Sequence, residues 1–348
     1  MSEEKLRAAI VGASGYTGAD LVRLALKHPH IEITALTANS HAGKLMEQVF
    51  PYLTGQKLPQ LVRNDEVDWA KVDVAFCGLP HATSQKVIKG LPEHIKVIDI
   101  SADFRLRDPA LYEQTYGNPH AATELQKEAV YGLTEHYRSS ISDARLIACP
   151  GCYPTAVLTA LLPLVTNKLI DATDIIVDAK SGLTGAGRGL KQNTLFAEAG
   201  EGMGPYSVAQ HRHAPEIEQE LSVAAKKALM INFTPHLIPM SRGELVTCYA
   251  RLIDGVTVKD CKQVFFDQYS DEPFIHLSPE GVTPHTQFVR GSNQVMLNIY
   301  ADRIPGRVIV IAALDNLVKG SSGQALQNLN VMAGFPETTG LEQIALFP

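Results

Sequence analysis

Residues 12–18 read Gly-Ala-Ser-Gly-Tyr-Thr-Gly, and they stand between a β-like run at 6–11 and a stretch at 19–26 whose apolar residues recur at helical spacing. Strand, glycine turn and helix in that order confine the start of the chain to few folds. Gly12, Gly15 and Gly18 let the backbone turn sharply and approach a pyrophosphate, while the N–H groups opening the helix face its charge. A tight turn with no ligand would use the same glycines, but the second alternating strand at 31–36 supplies the context of a dinucleotide site. Ser14, Tyr16 and Thr17 ride on the same turn and join the candidate cofactor contacts. Short apolar strands at 72–77 and 97–100 flank a helix-like run at 82–89, so the expected fold class is α/β, with a Rossmann-type parallel sheet.

The end of the second strand bears on which dinucleotide binds. An Asp or Glu there would hold the ribose hydroxyls of NAD and repel the extra phosphate of NADP. The residues are Thr37, Ala38, Asn39, Ser40 and His41, with Lys44 shortly after, and no carboxylate is among them. NADP is therefore the expected cofactor, with Ser40 and His41 at its 2′-phosphate; a solvated loop is the rival explanation of those two residues.

A chain of 348 residues exceeds what one core usually serves, so two domains are expected. Hydrophobic residues at 45% and charged ones at 20% describe an ordinary globular protein. The net charge of −6, with no Lys/Arg cluster, argues against nucleic acid as a partner and leaves small molecules. No apolar run approaches the roughly 20 residues that span a bilayer, and the charged start at 1–7 is unlike a signal peptide. Five cysteines without framework spacing suit a reducing compartment, so the expected location is cytoplasmic. Beyond the first region, strand-like runs at 175–180, 234–239, 244–252 and 308–314 are joined by longer loops and predict a mixed or antiparallel sheet. The stretch 182–213 reads as a site loop or a disordered connection, and the tail at 315–334 returns to helical spacing.

Chemistry enters at Cys152, in the turn Ala-Cys-Pro-Gly-Cys-Tyr-Pro-Thr at 148–155, just before a helix-like run at 156–164. A cysteine at a helix N-terminus has its thiolate favoured by the unpaired N–H groups and the helix dipole. The alternative is a small packed hydrophobe. Structural zinc on Cys149-x-x-Cys152 would need four ligands, and Cys77, Cys248 and Cys261 are scattered singly, so no metal is expected. His211-Arg212-His213-Ala214-Pro215-Glu216 precedes another helical run, and its spacing lets Glu216 hold a histidine; beside a thiolate it would supply the acid/base of acyl transfer. Arg105 follows the strand at 97–100, where ligands bind in open α/β sheets, and could clamp a carboxylate or phosphate or pair with Asp103 or Asp108. Arg188 ends the small-residue loop 181–188, built either for close ligand approach or as a flexible surface turn.

These blocks, together with Ser-Ala-Asp-Phe-Arg at 101–105 and Asn-Leu-Val-Lys-Gly at 316–320, resemble those of the N-acetyl-γ-glutamyl-phosphate reductases, end to end and in order. The resemblance implies the fold of aspartate-semialdehyde dehydrogenase: a dinucleotide-binding domain from 1–152 and 317–348, and a central α+β domain from 153–316 that carries contacts of a homodimer or homotetramer. It implies that Cys152 attacks an acyl phosphate, that phosphate leaves, and that NADPH reduces the thioester to the semialdehyde of arginine biosynthesis. His211, His213 and Glu216 match the histidine motif, with His213 favoured as acid/base. Arg105 and Arg188 would hold substrate anions, Asn316 would approach the nicotinamide, and Gly182 would line the cofactor side. Leu183 and Thr184 depart from the Ser or Ala common there. Two rivals are a reductase of carrier-linked aminoadipyl phosphate, which would need a basic docking surface, and a non-catalytic NADP-binding regulator, in which Cys152 would be unreactive.

Overall fold

The computed structural model describes residues 5–348, so residues 1–4 of the charged start lie outside the described residues. The chain divides into two compact units, Met1–Pro150 with Ser321–Glu342, and Gly151–Gly320 with Gln343–Pro348. The change of unit thus falls at 150/151 and 320/321, and the last six residues pack with the second unit.

The first unit holds a seven-stranded sheet of β1 (Leu6–Val11), β2 (Ile31–Thr37), β3 (Leu61–Val62), β4 (Val74–Cys77), β5 (Lys96–Asp99), β6 (Val130–Tyr131) and β7 (Leu146–Ala148). Its order is β3-β2-β1-β4-β5-β7-β6, with every pairing parallel. Central strands β4, β5 and β7 are short, and their buried positions are apolar except for Asp99 at the end of β5, as suits strands covered on both faces. The helix expected at 19–26 runs Tyr16–Ala25 and the one at 82–89 is shortened to Ser84–Lys89, because Ala82 sits at φ 63° and cannot start a helix. The tail helix, Gly323–Ala333, is buried along most of its length and completes this unit.

The second unit has a seven-stranded mixed sheet of β8 (Ile170–Gly182), β9 (Gly204–Pro205), β10 (Asn232–Ile238), β11 (Glu244–Leu252), β12 (Ile275–Leu277), β13 (Val295–Ala301) and β14 (Arg307–Leu314). The order is β12-β13-β14-β11-β8-β10-β9. β10 runs parallel to β8 and β12 to β13, while the other neighbours are antiparallel. Helices Cys152–Thr166, Ala214–Ala225 and Val258–Tyr269 belong to the same unit. The stretch 182–213 is ordered into 3-10 turns, a four-residue helix Phe196–Ala199 and strand β9 rather than being structureless. Among the described residues no helix is long and apolar enough to cross a membrane.

Candidate active site

Cys152 is the first residue of the 15-residue helix Cys152–Thr166, with Gly151 as its N-cap. The helix forms because its body is an almost unbroken apolar run, buried from Tyr153 to Val165, and Pro154 tolerates the first turn, where an N–H has no carbonyl partner anyway. Gly151 offers no capping side chain of its own. The cap comes from another element: Glu216 Oε1 accepts the Gly151 N–H at 2.8 Å, and Glu216 is fully buried. Glu216, expected from its spacing to hold a histidine, is seen here to hold the backbone on which the cysteine sits.

The residue after the cysteine is tied to the histidines. The Tyr153 ring meets His211 and His213 edge-on, at centroid distances of 5.7 and 5.9 Å, and the two imidazoles lie 4.8 Å apart. Tyr206 packs on His211 at 5.2 Å and its hydroxyl lies 3.4 Å from that of Tyr153. His213 stands at the N-cap position of the helix Ala214–Ala225, and its backbone N–H donates to His211 Nδ1 at 3.1 Å. That bond makes Nδ1 an acceptor and leaves the His211 proton on Nε2. Burial, and then the nearby Arg212 charge, lower the His211 pKa to about 4, so this ring is neutral near pH 7.

A second cluster closes around Gly182. A Cβ there would lie 2.9 Å from Met240 O and from Ser241 C and O, so glycine is required by the protein's own backbone. The 182–184 main chain bonds to Gly243 O, Met240 O and Ser241 O. Asn316, 3% exposed, fastens this loop: Oδ1 accepts the Gly243 N–H at 2.8 Å and Nδ2 donates to Thr184 Oγ1 at 3.0 Å. Arg188 is exposed at the end of the same loop.

In the first unit, Gly12 and Gly18 of the glycine turn are required by the protein's own backbone. Gly12 has φ +84°, and a Cβ would lie 2.4 Å from Gly78 O. A Cβ on Gly18 would lie 2.5 Å from Gly12 O, whereas Gly15 has room on its own side of the turn. Gly15 is the N-cap of Tyr16–Ala25 and no side chain caps that helix, so the turn presents backbone N–H groups of the kind a pyrophosphate recruits. Thr17 Oγ1 is bound by Ser321 Oγ at 3.2 Å. Ser40 and His41 are hydrogen-bonded to each other at 3.0 Å on an exposed stretch beyond β2. Arg105 is 8% exposed, donating from Nε to Cys149 O at 2.8 Å and from Nη2 to Ile100 O at 3.0 Å. Asp103 is engaged by Ala82 N–H, Ser84 and Tyr112. Cys149, fully buried beside the Asn328 amide, has its thiol pKa pushed up to about 12 by burial, which fits a packing residue. Among the described residues no cluster of three or more His, Cys, Asp or Glu could hold a metal.

Reading the motifs singly missed Glu244, Tyr153 and Tyr206. Glu244 had a visible signal: it shares the alternating face of Val246, Cys248 and Ala250, and a carboxylate on the apolar face of a strand is out of place.

Residues 7–144 match the family described as "Semialdehyde dehydrogenase, NAD binding domain", and residues 152–316 match "Semialdehyde dehydrogenase, dimerisation domain". Among solved structures, aspartate semialdehyde dehydrogenase II of Vibrio cholerae, complexed with ASA, aligns with a TM-score of 0.71 at 16% identity over 95% of this chain and 99% of that one. An aspartate semialdehyde dehydrogenase with NADP from Candida albicans gives 0.67 at 17% identity, covering 95% and 99%. Fold and site together define a two-domain oxidoreductase of the semialdehyde dehydrogenase class. The proteins named N-acetyl-gamma-glutamyl-phosphate reductase in Rhodospirillum rubrum and Ruegeria pomeroyi are 53% and 54% identical, over 99% and 98% of both chains respectively. The chain belongs to the N-acetyl-gamma-glutamyl-phosphate reductase family.

Proposed function

We propose that the chain reduces N-acetylglutamyl 5-phosphate to N-acetylglutamate 5-semialdehyde with release of phosphate, in keeping with relatives named N-acetyl-gamma-glutamyl-phosphate reductase. The observation that carries the reading is the convergence of Gly151–Tyr153 on the histidine block: Glu216 holds the backbone before Cys152, and both imidazoles pack against the ring after it.

Cys152 Sγ attacks the acyl carbon, the C–S bond forms, and the bond to the phosphate oxygen breaks with its electron pair leaving on phosphate. NADPH, when bound, supplies the hydride that reduces the thioester. His213 holds a proton at the oxygen of the resulting tetrahedral adduct and takes it back as the C–S bond breaks, while His211, kept neutral by burial, accepts the His213 backbone N–H at Nδ1 and so steadies that segment. Arg105 and Arg188 supply cationic donors for the substrate's carboxylate and phosphate; Arg105 also ties two main-chain carbonyls. Gly12, Ser14, Gly15, Tyr16, Thr17 and Gly18 would hold the pyrophosphate of the dinucleotide, Ser40 and His41 its 2′-phosphate, and Gly182 and Asn316 would be its contacts at the nicotinamide. The active form is a homodimer or homotetramer acting on a small molecule, with neither nucleic acid nor membrane as a partner, in a cytoplasmic or equally reducing setting that suits five free cysteines.

The test is phosphate-dependent NADP reduction by the semialdehyde, in wild type and in Cys152→Ser. Wild type turns over and the serine variant loses at least a thousandfold in kcat; comparable turnover in the variant refutes covalent catalysis at Cys152.

A further inference from the structure

Glu244 opens β11, where its Cα is paired with Ser181 of β8 and Leu314 of β14, and it is 0% exposed. Neither carboxylate oxygen accepts an N–H or O–H from any described residue. Buried carboxylates ordinarily collect such donors, because an ionised one without them is strongly disfavoured. The Cys152 thiol is the polar side chain beside it that favours its charged form, and the helix opening at Cys152 packs on β11 and β14. The remaining neighbours add no cation: Asp315, beyond β14, opposes a charge on Glu244, and the phenols of Tyr153 and Tyr206 are neutral. Arg242, two residues earlier in the chain, lies 3.5 Å from Asp315 Oδ1.

We propose that Glu244 is a neutral acid at the reacting sulfur, whose carboxyl O–H donates a hydrogen bond to the Cys152 thiolate. The inference rests on the reading of Cys152 as nucleophile. When the pair loses one proton, the helix N-terminus at Cys152 and the apolar surroundings of Glu244 both place the charge on sulfur and the remaining proton on the carboxyl oxygen. No covalent bond to Glu244 forms or breaks in the reaction. Its hydrogen bond stabilises sulfur twice, as the attacking thiolate and as the group expelled when the C–S bond breaks. A cation-binding role toward substrate is disfavoured by chemistry, since an acetylated amine carries no charge.

Burial raises the Glu244 pKa to about 8. Ionisation above that pH removes the donor and sets two anions side by side. The experiment is the pH dependence of kcat and KM for N-acetylglutamyl phosphate in wild type, Glu244→Gln and Glu244→Leu. Wild type shows an alkaline limb in kcat near pH 8. In Glu244→Gln, whose amide donates but does not ionise, kcat falls severalfold at neutral pH and the limb disappears. In Glu244→Leu kcat falls at least a further tenfold, with KM changed less than threefold. A limb that persists unchanged in Glu244→Gln overturns the proposal, and so does a rise in KM at constant kcat. The Gln variant preserves shape, so its limb decides the matter even if the Leu variant fails to fold. Alkylation of Cys152 by iodoacetamide run alongside separates the two readings: inactivation with a persistent limb removes the role of Glu244 alone, whereas alkylation of Cys152 without inactivation removes the nucleophile itself.

Discussion

At the scale of single residues, Glu244 and His211 are both buried against their charged forms, and they pull the stability of the fold in opposite directions with pH. An acid whose folded pKa lies above its unfolded value keeps its proton in the folded chain after the unfolded chain has released it, so stability falls as pH rises between the two. For Glu244 that window runs from 4.5 to about 8, and for Asp99, raised mainly by burial, from 3.8 to about 7. His211 is a base with a depressed value, so its effect is a gain of stability as pH rises from about 4 to 6.5. Above pH 7 Glu244 is left to dominate this set. At about 1.4 kcal/mol per proton and pH unit, it costs the fold about 1 kcal/mol between pH 7 and 8. Thermal melts should show Tm of wild type declining over that interval and Glu244→Gln nearly flat; parallel declines would show that Glu244 ionises no differently in the folded chain. The sequence displayed Cys152, both histidines and Glu216 through their spacing. It did not display that Glu216 would cap Gly151, because the acceptor comes from a helix 65 residues away in sequence. Nor did it display that Asn316 has both ends of its amide committed to Gly243 and Thr184.

At the scale of elements, the glycine turn is the part where strand, turn and helix were all legible, since the chemistry of each is local. Gly18 sharpens it. Glycine inside a helix ordinarily costs up to about 1 kcal/mol relative to alanine, so Gly18→Ala would stabilise an unhindered helix. Here the new Cβ would lie 2.5 Å from Gly12 O and 2.7 Å from Ala13 Cα, backbone atoms with no flexible end to swing away. We expect Gly18→Ala to lose roughly 1–3 kcal/mol by denaturant unfolding, the range of overpacking, and to weaken NADP binding at least tenfold by titration; a stabilised variant with normal binding would contradict the reading. Elements that periodicity missed fall into two kinds. The helix Val258–Tyr269 carries a capping box, Thr257 with Asp260, which was available in the sequence. The two-residue strands β3 and β6 carry no signal of their own and exist only because parallel neighbours accept them. The 182–213 stretch was underestimated for a similar reason at its start, since residues 182–184 are held by backbone bonds to 240–243 that no local pattern encodes.

At the scale of the molecule, an α/β class with a parallel first sheet and a mixed second one followed from the alternation of strands and helices, and the order of both sheets did not. Sheet order depends on long-range pairing, such as β11 inserting between β8 and β14. Cofactor choice belongs to this scale too, because it joins the glycine turn to the end of a different strand. With no carboxylate from Thr37 to His41, kcat/KM with NADPH should exceed that with NADH by at least a hundredfold, and Ser40→Asp should reduce the ratio; equal efficiency with both would show that Ser40 and His41 hold no phosphate. The account's central claim is covalent: an acyl group on Cys152, formed before any reduction. Mixing the protein with N-acetylglutamyl phosphate in the absence of NADPH measures it directly, by phosphate release in the first turnover and by the mass of the trapped chain. The account predicts a burst of one phosphate per active site and an N-acetylglutamyl adduct on the peptide holding Cys152, both absent in Cys152→Ser. No burst, or an adduct on any other residue, would contradict it.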